Sequence, residues 1–226
     1  MPPSQGRFQY TDEAINAIEK SLSPERLAGY IALAKGDKRL AIRLYERNTS
    51  LSEALYGVIQ GLEIALRNTL DRALAKELGL PDWYDQIAWE EKELESIQKA
   101  KDNITTWRKT VTPGRVIAEL TLGFWVQLTA RKYEKTLWVK YLYRVFPLKL
   151  NRKVLFQRLD RIKNLRNRIA HHEPIITRDL HWITRALLKQ SNGYPRLSQS
   201  GLRQRIAFKN DLMPLCCSPK QNHNLI

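Results

Sequence analysis

Residues 50–79 read SLSEALYGVIQGLEIALRNTLDRALAKELG. Leu51, Leu55, Val58, Leu62, Leu66, Leu70 and Leu74 follow one another at spacings of 4, 3, 4, 4, 4 and 4. Steps of three and four keep side chains on one face of an α-helix, whereas a strand repeats every second residue. Ser50 or Ser52 reads as the opening of this helix, and Gly79 as its stop.

The flanking sequence repeats the pattern. Ser23-Pro24-Glu25 reads as a helix start, with Ser23 as N-cap and Pro24 in the first turn. Gly36-Asp37 breaks that helix, and Asp37 caps a second one expected to run through Arg47. Downstream, Pro81-Asp82-Trp83-Tyr84 is a loop with aromatic anchors. Glu90 to Trp107 is an amphipathic helix expected to turn Leu94, Ile97, Ala100 and Ile104 inward. Thr112-Pro113-Gly114 punctuates, and a helix over Val116 to Leu128 follows, with Gly123-Phe124-Trp125 in its middle. Glu134 to Phe146 is aromatic-rich and stops at Pro147. Asn151 to about His172 is the next helix, with Val154, Leu155, Leu159, Ile162, Leu165 and Ile169 inward. Pro174 disfavours helical geometry at Glu173 and ends it. Further helices are expected at Asp179–Gln190 and Gln199–Lys209, before a polar tail. No useful alternating pattern occurs. The expected fold is all-α, a helical bundle of about seven to nine helices. It divides into an N-terminal arm at 1–22, a helical domain at 23–192 and a basic extension at 193–226 with a disordered tail.

Composition narrows the function. The 226 residues carry 38 Lys/Arg against 23 Asp/Glu, a formal charge of +15. Between Arg144 and Lys209 there are 16 basic residues against Asp160, Glu173 and Asp179. A charge excess so placed points to a polyanion partner. The two cysteines, Cys216 and Cys217, are adjacent and form no disulfide framework or metal-binding spacing. Met1 to Tyr10 lacks the apolar core of a secretory signal, and no stretch approaches the ~20 apolar residues of a membrane span. We expect a cytoplasmic protein with no membrane partner.

Two of the four histidines fall in Leu165-Arg166-Asn167-Arg168-Ile169-Ala170-His171-His172-Glu173-Pro174-Ile175. On a helix Asn167 and His171 are i and i+4 and share a face. At ~100° per residue, Arg166 lies about 140° from His171. They meet only if the helix end unwinds or a second chain contributes. Such a set fits cleavage of an RNA phosphodiester without a metal. A neutral imidazole takes the 2′-OH proton, a protonated one serves the 5′-oxygen leaving group, and an Arg stabilises the phosphorane-like oxygens. Asn can hold the imidazole in one tautomer. From spacing alone, the commoner reading is a surface pair of Arg166 and His171, with His171 capping the last turn.

The same run resembles the signature of the Abi-like (abortive infection) proteins, which belong to the HEPN superfamily of helical ribonucleases. Its motif of Arg, a polar residue and then His fits Arg166, Asn167 and His171. The stretches 44–53, 62–68 and Leu122-Gly123-Phe124-Trp125-Val126 are similar to that family too, and the resemblance spans about 24–190. It implies catalytic roles for Arg166, Asn167 and His171 and a homodimer in which the motifs of two chains face each other. The extension 193–226 matches no pattern of the family.

Other residues stand beside this set. His172 and Arg168 are supporting or substrate-binding candidates. Glu63, Arg67 and Asn68 form a polar patch that either buttresses Arg166 or His171 or is an ordinary i,i+4 helix pair with its neighbour. His171 and His172 point about 100° apart and chelate poorly, so no metal and no cofactor are expected. Trp125, Trp138 and Trp182 read first as core, with base stacking as the other use. The function expected is a metal-independent endoribonuclease of abortive-infection or toxin type acting on RNA. The alternatives are a non-catalytic RNA-binding or protein-interaction module in phage defence and, more weakly, a DNA binder using the basic C-terminal helices. A cognate antitoxin or regulatory protein is a further partner to look for.

Overall fold

The computed structural model describes residues 10–146 and 151–177. Among the described residues every regular element is helical. The α-helices are α1 Asp12–Leu22, α2 Pro24–Leu33, α3 Lys38–Leu78, α4 Glu91–Thr106, α5 Pro113–Glu119, α6 Leu122–Gln127 and α7 Arg152–Ala170. A π-helix occupies Glu134–Leu142, and 3-10 turns lie at Trp83–Asp85, Arg131–Tyr133 and Tyr143–Val145. The fold is all-α, as expected. The helices expected at 179–190 and 199–209, the extension 193–226, Trp182, Cys216 and Cys217 lie outside the described residues. Among the described residues no helix is long and apolar enough to cross a membrane.

Several boundaries differ from the sequence reading. Residues 12–22, read as part of an arm, form α1, with Thr11 Oγ1 accepting the Ala14 N–H at 3.3 Å. The break expected after Arg47 is absent, and α3 runs unbroken for 41 residues. The hydroxyls there serve the helix interior. Thr49 Oγ1 donates to the Tyr45 carbonyl at 3.2 Å and Ser52 Oγ to the Asn48 carbonyl at 2.8 Å, so Ser52 opens nothing. Asp37 caps as expected, its Oδ1 accepting the Leu40 N–H at 3.0 Å. The helix expected over 116–128 is two, parted by extended backbone at Leu120 and Thr121. The 134–146 helix is π-helical through Leu142. Leu137 and Leu142 are both buried five residues apart, an interval suited to i→i+5 bonds.

The chain divides into two compact units. The first comprises residues 1–56 and 168–179, described from 10 and up to 177. Tyr30, Ala34 and Ala41 form a buried cluster in it, with Ile31, Leu44, Tyr45 and Ile176 packed against them. The Tyr30 ring meets Tyr45 edge-on at 5.5 Å. Lys38–Glu19 and Arg39–Asp12 ion pairs, at 2.7 and 2.8 Å, and a Tyr10–Glu46 hydrogen bond fasten the start of α3.

The second unit is built on residues 57–167. Leu62, Leu66, Leu70 and Leu74 are buried as the stripe requires, but Ile59 takes the inward place expected of Val58. Trp83 and Trp125 are fully buried with their rings 6.2 Å apart, Trp89 lies beside Trp83 and Phe124 beside Trp125, and Tyr133 meets Trp89. On α4, Ile97, Ala100 and Ile104 are buried, whereas Leu94 is exposed and Glu93 faces inward. That carboxylate is tolerated because Tyr133 Oη donates to it at 2.6 Å and Lys132 Nζ at 2.7 Å. On α7, Leu155, Leu159, Ile162 and Leu165 are buried and Val154 is exposed. Asn151 Oδ1 caps that helix through the Lys153 N–H at 2.8 Å, and Arg152 Nη1 anchors it to the Thr129 carbonyl at 2.9 Å.

Candidate functional site

The run singled out from sequence occupies the last turns of α7 and the segment after it. α7 ends at Ala170, two residues before the expected His172. Its closing bonds run from the His172 N–H to the Ile169 carbonyl at 3.0 Å and from the Glu173 N–H to the Arg168 carbonyl at 2.8 Å. That pair of bonds defines a Schellman turn, with His171 as C-cap and His172 at the left-handed position, φ 54°. Glycine is the usual occupant there. α2 and α4 end the same way on Lys35 (φ 53°) and Arg108 (φ 52°), whereas α3 ends on Gly79 (φ 73°). At Lys35 and Arg108 a cation beside the last carbonyls is favoured by the helix dipole, which offsets part of the backbone cost.

Two clamps hold the residues that follow. Arg168 Nη2 lies 3.0 Å from Glu173 Oε2 and donates to the Pro174 carbonyl at 3.3 Å. An apolar contact ordinarily joins these two places of a Schellman turn, and here an ion pair does. From α3, the buried Asn48 side chain accepts two backbone hydrogen bonds through Oδ1, from Ile175 N–H at 2.8 Å and Ile176 N–H at 3.1 Å. His171 and His172 themselves are exposed. Arg168 is half-buried and tied to the turn, which makes it part of the scaffold holding the histidines.

In the second unit, Arg166 Nε stands 3.8 Å from Glu63 Oε2 of α3. Sequence spacing paired Glu63 with Arg67 or with the motif, and the structure joins it to Arg166. Arg67 Nε instead donates to its neighbour Asn68 Oδ1 at 3.3 Å. Asn68 and Asn167 are exposed, and Arg67 is half-buried. α7 carries seven Lys/Arg against Asp160 alone. Of these, Arg152, Lys163, Arg166 and Arg168 have carboxylate partners, while Lys153, Arg158 and Arg161 are exposed. Among the described residues no group of three or more His, Cys, Asp or Glu is arranged to hold a metal ion.

Two residues escaped the sequence reading. Trp125 and Trp138 are buried, the first fully, so neither offers a face for stacking. Trp107, by contrast, is 71% exposed at the C-cap of α4 and is followed by Arg108 and Lys109. Its place at the end of an amphipathic helix, beyond the last inward residue Ile104, was the available signal. Asn48 is the other. It stands in series with Leu44, Leu51 and Leu55 at spacings of 4, 3 and 4, a polar residue at a core position of the stripe. Such a place demands hydrogen-bond partners.

A family model described as Abi-like protein matches residues 35–177, more than half of the chain. The chain belongs to the Abi-like protein family. The match takes in Asn48, Glu63, Arg67, Asn68 and the whole run from Arg166 to His172, and lies within the span of the resemblance read from sequence. It closes two residues beyond Ile175, the first backbone donor to Asn48. No curated protein and no solved structure matches the chain.

Proposed function

We propose that this Abi-like protein is a metal-independent endoribonuclease of abortive-infection type, HEPN-like in its chemistry. The observation that carries the reading is the Arg166-Asn167 pair on α7, whose exposed C-cap is His171, on a helix with seven basic residues against one acid. The neutral His171 imidazole takes the proton from a ribose 2′-OH as that oxygen attacks the adjacent phosphorus. The bond to the 5′-oxygen breaks, and an imidazolium returns a proton to it. The products are a 2′,3′-cyclic phosphate and a 5′-hydroxyl. Arg166, held by Glu63, stabilises the charge that builds on the non-bridging oxygens.

The second histidine comes from a second chain in a twofold dimer. Trp107 with Arg108 and Lys109, and the exposed cations of α7, hold the RNA by stacking and charge.

The test is incubation of the protein with RNA in EDTA, with end-group analysis of the fragments and sedimentation at tens of micromolar. Cyclic phosphate ends from a dimer support the reading, and DNA should bind without being cut. RNA bound but left intact would make the protein a binding module, and cleavage by a monomer would remove the composite site.

A further inference from the structure

Three residues separate His171 from Ile175, and little of that tether is free to move. His172 and Glu173 are spent in the Schellman turn. Glu173 precedes a proline, which disfavours helical backbone, and Pro174 has a locked φ and no N–H to give. Arg168 grips the Glu173 carboxylate and the Pro174 carbonyl from the α7 side. The next two N–H groups, of Ile175 and Ile176, both end on the single Oδ1 of Asn48. Asn48 is 4% exposed and Ile175 fully buried, so water has little access to the bond between them. An apolar residue at this stripe position would pack as well and leave both donors unmatched, at about 1–3 kcal/mol each.

We infer that Asn48 is a positioning residue for His171, its two hydrogen bonds to the backbone after Pro174 setting where the α7 C-cap imidazole stands. This rests on the endoribonuclease reading for its catalytic consequence, but not for its geometry. Asn48 touches no substrate. It acts through a short stiff tether, and a shift of ~1 Å in a catalytic group can cost about 10² in rate.

The experiment compares Asn48→Ala, Asn48→Ser and Asn48→Asp in the full chain. Amide exchange at Ile175 and Ile176, the imidazole NMR signals of His171, and kcat and KM on RNA are measured for each. In Asn48→Ala, protection of both amides falls at least about tenfold, the His171 signals move, and kcat drops about 10²-fold with KM nearly unchanged. Asn48→Asp keeps an oxygen that accepts both bonds and restores protection and kcat to within a few-fold. Asn48→Ser, with a shorter arm, falls between the two and serves if Asn48→Ala does not fold. Unmoved His171 signals, or a wild-type kcat, in either folded variant lacking the clamp overturns the inference. If the wild-type chain cuts no RNA, the endoribonuclease reading fails alone, because exchange and ring signals still report on Asn48.

Discussion

Arg166 Nε lies 3.8 Å from Glu63 Oε2, joining α7 to α3 by charge alone, since the separation is too long for a hydrogen bond. The two side chains are 34% and 22% exposed, so solvent screens much of the attraction. Glu63→Ala should therefore lower stability by less than about 1 kcal/mol. The effect on cleavage should be larger, about a tenfold fall in single-turnover rate, because the guanidinium loses its restraint. Thermal unfolding and the single-turnover assay read the two quantities separately. A wild-type rate would show that Glu63 does not serve the site.

His171→Ala should abolish cleavage and leave the protein folded. The side chain is exposed at a helix end, where truncation costs within about 0.5 kcal/mol. Loss of a general acid or base costs ~10²–10⁴ in rate. Arg166→Ala should also stop cleavage, but with weaker RNA binding, since Arg meets phosphate before and during reaction. Filter binding beside a cleavage assay separates the two variants. Wild-type cleavage by His171→Ala would end its catalytic assignment.

Trp107 should matter for binding and not for the bond-breaking step. Stacking on an aromatic face contributes about 1–3 kcal/mol per base, so Trp107→Ala should weaken RNA affinity by about 5- to 100-fold, with Trp107→Phe retaining most of it. Replacing Arg108 and Lys109 by Ala should lower the slope of log affinity against log salt by about 0.7 for each phosphate left without its cation. Titrations at several salt concentrations test both, and affinity unchanged in Trp107→Ala would take that face out of the RNA path.

His172 can be separated into a backbone role and a chemical one. At φ 54° it occupies a conformation that costs a side chain about 1 kcal/mol and a glycine almost nothing. His172→Gly should raise the melting temperature, while His172→Ala should not. If RNA cleavage by His172→Gly stays at the wild-type rate, the imidazole there is not part of the chemistry.

Burial and the hydrogen bond to Glu93 push the Tyr133 hydroxyl from 10.0 up to about 12, and burial with Asp85 nearby pushes Tyr84 to about 12 as well. A folded-state value above the unfolded one favours the protonated form in the fold. This stability is complete below pH 10 and is lost as pH climbs through about 12. Urea midpoints measured from pH 9 to 12 should fall. In Tyr133→Phe the neutral-pH stability should be lower by about 1–3 kcal/mol, because Glu93 loses a buried partner, and the alkaline slope shallower. Equal slopes in the two proteins would remove Tyr133 from this linkage.

The all-α class, the core face of α3 from Leu62 to Leu74, the caps at Ser23 and Asp37 and the stop at Gly79 were legible in the sequence. These are local properties, set by spacing along one helix or by a side chain reaching three residues onward. The candidate run from Arg166 to His172 stands out in the sequence for a similar reason, since one short stretch carries it. Tertiary structure decided the rest. Thr49 and Ser52 look like interruptions, yet their hydroxyls bond backward and α3 continues. Glu93 lies inside and Leu94 outside because Tyr133 and Lys132, some 40 residues on, supply the partners a buried carboxylate needs. Of the two readings open for Glu63, the i+4 pair with Arg67 or a contact with the motif, packing selects Arg166. Asn48 meets Ile175 across 127 residues of chain. No local pattern encodes such a pairing, because a hydrogen bond between distant segments exists only after packing has brought them together.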